Sequence, residues 1–176
     1  MQKGLIIVFT GDGKGKTSAA LGTALRASGH AMHVSMIQFV KSPTDSGEER
    51  AAERLKPEFE LITTGRGFVN IPGHTVPLAD HKKAAEEAFT LAQQRISSGY
   101  WDVVILDEIN VAVDLGLIDP VRLIEQLRKK PAKLHVVLTG RNAHPDLIAL
   151  ADIVTEMRSV KHPYDEGTAA QKGIDF

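Results

Sequence analysis

The sequence predicts an α/β protein built on a mostly parallel sheet of about six strands covered by helices. Three observations predict it. Short apolar runs alternate with longer amphipathic segments from end to end. The first run, Leu5–Phe9, is apolar at five consecutive positions, so it has no wet face and belongs inside a covered sheet. It then leads through a glycine-rich turn straight into a helical pattern.

The elements follow in order. Gly4–Thr10 reads as the first strand and Lys16–Ser28 as a helix closed by Gly29. Val34–Val40 is the second strand, Glu48–Leu55 a short charged helix before Pro57, and Phe59–Thr63 the third strand. Residues Gly65–Pro77 are rich in glycine, proline and polar side chains, and a loop of that length is usually functional. In Leu78–Ser98, residues Ala85, Ala88, Phe89, Ala92 and Ile96 fall on one helical face, with Lys82, Lys83, Glu86 and Glu87 on the wet side. Asp102–Asp107 is a buried strand. Asp119-Pro120 starts a helix that runs to Lys130, with an N-cap followed by proline at the first position. Leu134–Thr139 is a strand, Pro145–Ala151 a short helix and Ile153–Met157 the last strand. The polar tail after Arg158 has no usable periodicity, and with no repeat or linker composition the expectation is one domain, 1–176.

Composition narrows the function. With 21 Lys and Arg against 22 Asp and Glu, the net charge of −1 offers no field for nucleic acid or an anionic membrane. The absence of cysteine excludes disulfides, thiolate metal sites and Cys-ligated iron–sulfur clusters within the chain. The apolar run near the N-terminus leads into a glycine loop without a small-residue cleavage site, so it reads as a strand and not a signal peptide. No apolar stretch approaches membrane-spanning length, and the expected location is the cytoplasm.

The segment from Thr10 to Ser18, TGDGKGKTS, stands between a buried strand and a helix, where a phosphate loop must stand. Gly11, Asp12, Gly13, Lys14 and Gly15 can turn backbone N–H groups around an anion, and the helix N-terminus adds its positive end. Lys16 would reach phosphate oxygens, the Thr17 hydroxyl would help hold magnesium, Ser18 follows on the helix, and Lys14 adds a cation at the rim. The loop opens with Thr10 where the usual pattern has glycine, and Lys16 stands where a dinucleotide loop would have its last glycine. The fold expectation sharpens to a P-loop NTPase-like sheet.

Trp101–Glu108, WDVVILDE, ends an apolar strand in two carboxylates, where phosphate-loop proteins hold the magnesium shell. Asp107 is assigned to that shell; Glu108 is either a second metal contact or a substrate contact. Thr139-Gly140-Arg141 ends another strand on the same expected edge, so Arg141 either faces the nucleotide or makes a surface ion pair. No Asn-Lys-x-Asp segment specifies GTP. These residues license binding of ATP or GTP with magnesium, and leave open a small-molecule transferase and an ATPase that moves a partner.

At this point the chain resembles the corrinoid adenosyltransferases of the phosphate-loop type. The resemblance is carried by Thr10–Thr17, Gln38-Phe39-Val40-Lys41, Gly47-Glu48, Gly65-Arg66-Gly67-Phe68, Trp101–Glu108, and Thr139-Gly140-Arg141 with His144 and Asp146. It continues through Glu156–Gly167 (EMRSVKHPYDEG) and Ala170–Phe176 (AQKGIDF), so it spans nearly the whole chain. It implies that Co(I) of a reduced corrinoid attacks the ribose 5′-carbon of ATP and releases tripolyphosphate. In the family the triphosphate lies reversed in the loop relative to kinases. Lys16, Thr17 and Glu108 would then be catalytic, and backbone N–H groups, lysine and magnesium would stabilise charge on the leaving group. The cobalt is itself the nucleophile. In keeping with that, no Ser-His or Cys-His pair stands out, and the seven histidines are scattered without ligand spacing.

The resemblance also implies an external electron donor such as a flavoprotein, because the chain has no redox-cofactor signature, and a homodimer. Phe68, Asn70 and Glu108 are the expected corrinoid contacts. Family members often carry tryptophan two residues after the phenylalanine, where this chain has Asn70, which removes half of an aromatic wedge against the corrin. That departure bears on which corrinoid is accepted, and a corrinoid-binding regulator or a small-molecule kinase stays as an alternative.

Overall fold

The computed structural model describes residues 3–41, 46–67, 76–163 and 167–175. Six parallel strands form one sheet: β1 (Ile6–Thr10), β2 (Val34–Gln38), β3 (Phe59–Thr63), β4 (Val103–Asp107), β5 (His135–Thr139) and β6 (Ile153–Glu156), in the order β3-β2-β4-β5-β1-β6. The helices are α1 (Lys16–Ser28), α2 (Gly47–Arg54), α3 (Leu78–Ser97), α4 (Ile109–Asp114), α5 (Pro120–Arg128) and α6 (Pro145–Leu150).

The order explains the apolar runs. Every residue of β2 and β4 is buried, because each has a strand on both sides and helices over both faces. One core cluster joins Ala85, Ala88, Phe89, Ala92 and Ile96 of α3 to Val104 and Leu106 of β4 and Val136 and Leu138 of β5. A second joins Ala20, Ala24 and Ala27 of α1 to Met36, Val103, Ile105 and Val137 on the opposite side. The small residues of α1 let that helix lie close to the sheet and bring its N-terminus over the strand ends.

Two local features go beyond the sequence expectation. β6 is exposed along its length, since it is an edge strand paired only to β1. α4, directly after β4, was not anticipated: six residues are too few to display a period, although Ile109, Ala112 and Val113 do sit at helical spacing and are buried. The Asp119 cap is as expected, its carboxylate accepting from the Val121 N–H at 2.8 Å ahead of Pro120. None of the described helices is long and apolar enough to cross a membrane.

Candidate functional site

The carboxyl ends of β1, β2, β4 and β5 converge beside the N-terminus of α1. β5 lies between β1, which feeds the phosphate loop, and β4, which ends in Asp107. In open parallel sheets this edge is where ligands bind.

The loop 11–15 is held from outside by the chain leaving β6. The Gly13 N–H donates to the Met157 carbonyl at 2.7 Å, and the Met157 N–H donates to the Thr10 carbonyl at 2.8 Å. The packing leaves no room for side chains: a Cβ on Gly11 would lie 2.4 Å from the Met157 oxygen, and one on Gly13 would lie 2.7 Å from the Arg158 carbonyl carbon. Lys16, the first residue of α1, folds back and donates to the carbonyls of Gly11 at 2.8 Å and Gly13 at 2.7 Å. Burial pulls its pKa below the usual lysine value; Arg141 adds to the effect, while Glu108, Asp12 and Asp107 oppose it.

Asp107 is fully buried. Its Oδ1 accepts from the Thr17 hydroxyl at 2.9 Å and the Thr139 hydroxyl at 2.6 Å, and its Oδ2 accepts from Gln38 Nε2 at 3.0 Å. Glu108 follows in the left-handed region, with φ 61°, which turns the chain into α4. Its N–H donates to the Thr139 hydroxyl at 2.9 Å. Burial pushes the Glu108 carboxyl above the ordinary carboxylate range and the Asp107 charge adds to this; Lys16, Lys41 and Arg141 act the other way.

A cleft of about 460 Å³ opens over these groups, lined among others by Lys16, Thr17, Ser18, Lys41, Glu48 and Glu108. Its far wall is the first turn of α2, where Lys41 pairs with Glu48 at 2.8 Å. Burial works against ionisation of Glu48, but hydrogen bonds from Lys41, its own backbone and Ser46 outweigh it and keep the carboxyl below its ordinary value. Gly173, Ile174 and Asp175 of the C-terminal segment close the rim, and Asp175 pairs with Lys14. On the other side of the loop Arg141 stands 4.0 Å from Asp12 and lines a second hollow with Lys14, Lys16, Ser159 and His162.

Of the residues expected from sequence, Gly11 through Ser18, Asp107, Glu108 and Arg141 come together at this one edge. Phe68 and Asn70 lie outside the described residues. Gly65 is pressed against the chain leaving β2, where an added Cβ would clash with the backbone of Val40 and Lys41. Sequence reasoning gave no role to Gln38 or to the Thr139 side chain. For Thr139 a usable signal exists, since it closes the apolar run Val136–Leu138 at the carboxyl end of an inner strand; Gln38 is followed by Phe39 and Val40 and carries no such mark.

Magnesium can be tested against this donor set. Among the described residues no group of three or more His, Cys, Asp or Glu could hold a metal. The Thr17 hydroxyl and the Asp107 carboxylate are hard oxygen donors joined at 2.9 Å. That pair fits an ion that commonly takes one or two protein oxygens and completes its shell with water and substrate phosphates.

The fold is that of a P-loop NTPase-like α/β protein, with these residues gathered at the carboxyl edge of its sheet. Residues 2–176 match the family model of ATP:corrinoid adenosyltransferase BtuR/CobO/CobP, and the chain belongs to that family. Its curated relatives include corrinoid adenosyltransferases from Sinorhizobium sp, 41% identical over 99% of this chain and 81% of theirs, and from Pseudomonas aeruginosa, 38% identical over 99% and 85%. The corrinoid adenosyltransferase of Escherichia coli K12 is also 38% identical, over 99% of this chain and 87% of its own. Among solved structures, the KaiC-like protein PH0186 of Pyrococcus horikoshii superposes with a TM-score of 0.52 at 14% identity, covering 89% of this chain and 74% of that one. That likeness concerns the fold alone.

Proposed function

We propose that this chain transfers the 5′-deoxyadenosyl group of ATP to the Co(I) centre of a reduced corrinoid, giving adenosylcobalamin or an adenosylated precursor and tripolyphosphate. The observation that carries the reading is the convergence of Lys16, Thr17, Asp107 and Glu108 on one cleft in a chain of this family. In the step, the cobalt electron pair forms a bond to C5′, the C5′–O bond breaks, and both of its electrons leave with the triphosphate.

The chain's own residues answer that demand. Negative charge builds on the leaving oxygen, and the loop N–H groups, the α1 N-terminus and the Lys16 ammonium stabilise it. Lys16 is already desolvated, so its charge acts at low local dielectric. Arg141, across the loop, adds a second cation for the polyphosphate. Thr17 and Asp107 would hold magnesium, which supplies further charge neutralisation when bound. Glu108 would meet either the metal or the corrinoid. No side chain has to act as nucleophile.

We assign the corrinoid to the side of the cleft bearing Lys41, and carry Phe68 and Asn70 over as corrinoid contacts from the family resemblance alone. An external reductant such as a flavoprotein would supply Co(I), and a homodimer acting in the cytoplasm is the working assembly. The deciding experiment is anaerobic incubation with ATP, magnesium and chemically reduced cob(I)alamin. A light-labile product with tripolyphosphate is expected. ADP and phosphate without a cobalt–carbon bond would replace this reading with an ATPase.

A further inference from the structure

Gln38 ends β2 with its side chain buried to 1% exposure. In register it faces Asp107 on one neighbouring strand and Thr63 on the other. Its amide uses both ends: Nε2 donates to Asp107 Oδ2 at 3.0 Å, and Oε1 accepts from the Thr63 hydroxyl at 3.1 Å. The Thr63 hydroxyl has one proton, which it shares between Gln38 Oε1 and Glu49 Oε1, the latter at 2.8 Å. Glu49 in turn closes the capping box of α2, receiving the Ser46 N–H at 3.4 Å while its own N–H donates to Ser46 Oγ at 3.3 Å. One polar chain therefore runs from Thr17 through Asp107, Gln38 and Thr63 to the first turn of α2, which carries the Glu48 wall of the cleft.

We propose that Gln38 is a positioning residue for the magnesium–triphosphate subsite. By holding Oδ2 it fixes the rotation of the Asp107 carboxylate, so that Oδ1 is presented beside Thr17. Through Thr63 it keeps α2 in register with the phosphate loop. An amide suits the post because it donates at one end and accepts at the other without adding charge next to a buried carboxylate. Leucine matches its bulk and can do neither. The proposal rests on the reading that the cleft takes ATP with magnesium.

The test is calorimetric titration of ATP into the parent chain and Gln38→Leu, with magnesium chloride and again with EDTA. Gln38→Leu is expected to lose about tenfold, equivalent to 1.4 kcal/mol, of the affinity that magnesium adds, while magnesium-free binding stays within about twofold. Thr63→Val leaves Gln38 in place but frees its amide, and is expected to lose about threefold of the magnesium gain, which keeps the question answerable if Gln38→Leu folds poorly. An unchanged magnesium gain, or an equal loss with and without magnesium, overturns the proposal. Because the readout is binding, a chain that takes magnesium–ATP normally but alkylates no cobalt removes the reaction proposed above and leaves the role of Gln38 standing.

Discussion

The Thr139 hydroxyl donates to the Asp107 carboxylate at 2.6 Å, from the strand that separates Asp107 from the phosphate loop. The same hydroxyl accepts the Glu108 N–H, so one oxygen fixes both the carboxylate and the turn that follows it. Removing it leaves the part-buried Glu108 N–H unpaired and takes one of three donors from a buried carboxylate. Thr139→Val should therefore lower the unfolding free energy by about 2 kcal/mol, whereas Thr139→Ser should cost less than about 1 kcal/mol. Denaturant titration of the two variants checks this, and equal losses would mean that the methyl group, not the hydroxyl, matters.

Glu108 predicts a pH signature. Its folded-state carboxyl sits above the ordinary range because burial and Asp107 disfavour the charge. A raised pKa means that the folded chain binds this proton more tightly than the unfolded chain does. Ionised Glu108 thus costs stability above its folded pKa, and that cost fades as pH falls through the raised value toward the ordinary carboxylate range. Glu108→Gln should raise the Tm of the ligand-free chain at neutral pH, and the gain should shrink on acidification. A gain that stayed constant with pH would place its origin elsewhere than in the charge.

The parts of this site that the sequence displayed are those carried by contiguous residues. Thr10–Thr17 shows its turn, lysine and helix start within a single stretch, and Asp107 shows its place at the end of an apolar run. What holds Asp107 is different in kind. Thr17, Gln38 and Thr139 reach it from 90, 69 and 32 residues away, and their meeting depends on a strand order that no local pattern encodes. α4 escaped notice because its apolar residues read equally as a loop leaving a strand. β6 was visible as a strand, but its exposure followed from edge position, which again is a property of the sheet.

Lys16 clasps two carbonyls of its own loop, so its side chain shapes the loop, and in the function proposed above it would also supply the charge that meets the phosphates. Lys16→Ala removes both. ATP affinity should fall about a hundredfold, equivalent to roughly 2.7 kcal/mol, with the fold retained. Lys16→Arg should not recover it, since a planar guanidinium cannot be seated in a post shaped for a compact ammonium. Calorimetry with ATP and magnesium reads both, and full binding by the arginine variant would show that charge alone is needed.

Gly13 and Gly22 differ in what a side chain would meet. Gly13 lies against the chain leaving β6, where an added Cβ would sit 2.7 Å from the Arg158 and 2.8 Å from the Met157 carbonyl carbon. Backbone cannot yield as a flexible side chain does, so Gly13→Ala must prise the loop from residues 157–158 and break the Gly13 N–H bond to Met157. It should cost about 1–3 kcal/mol of stability and weaken ATP binding at the same time. Gly22, inside α1, is exposed with nothing within 4 Å of a new Cβ. Gly22→Ala should add roughly 1 kcal/mol through helix propensity and leave ATP binding as it was. Thermal melts and ATP titrations on the pair decide the point. Equal behaviour of the two variants would mean that the contact between the phosphate loop and residues 157–158 holds nothing in place, and the loop's shape would then have to come from Lys16 alone.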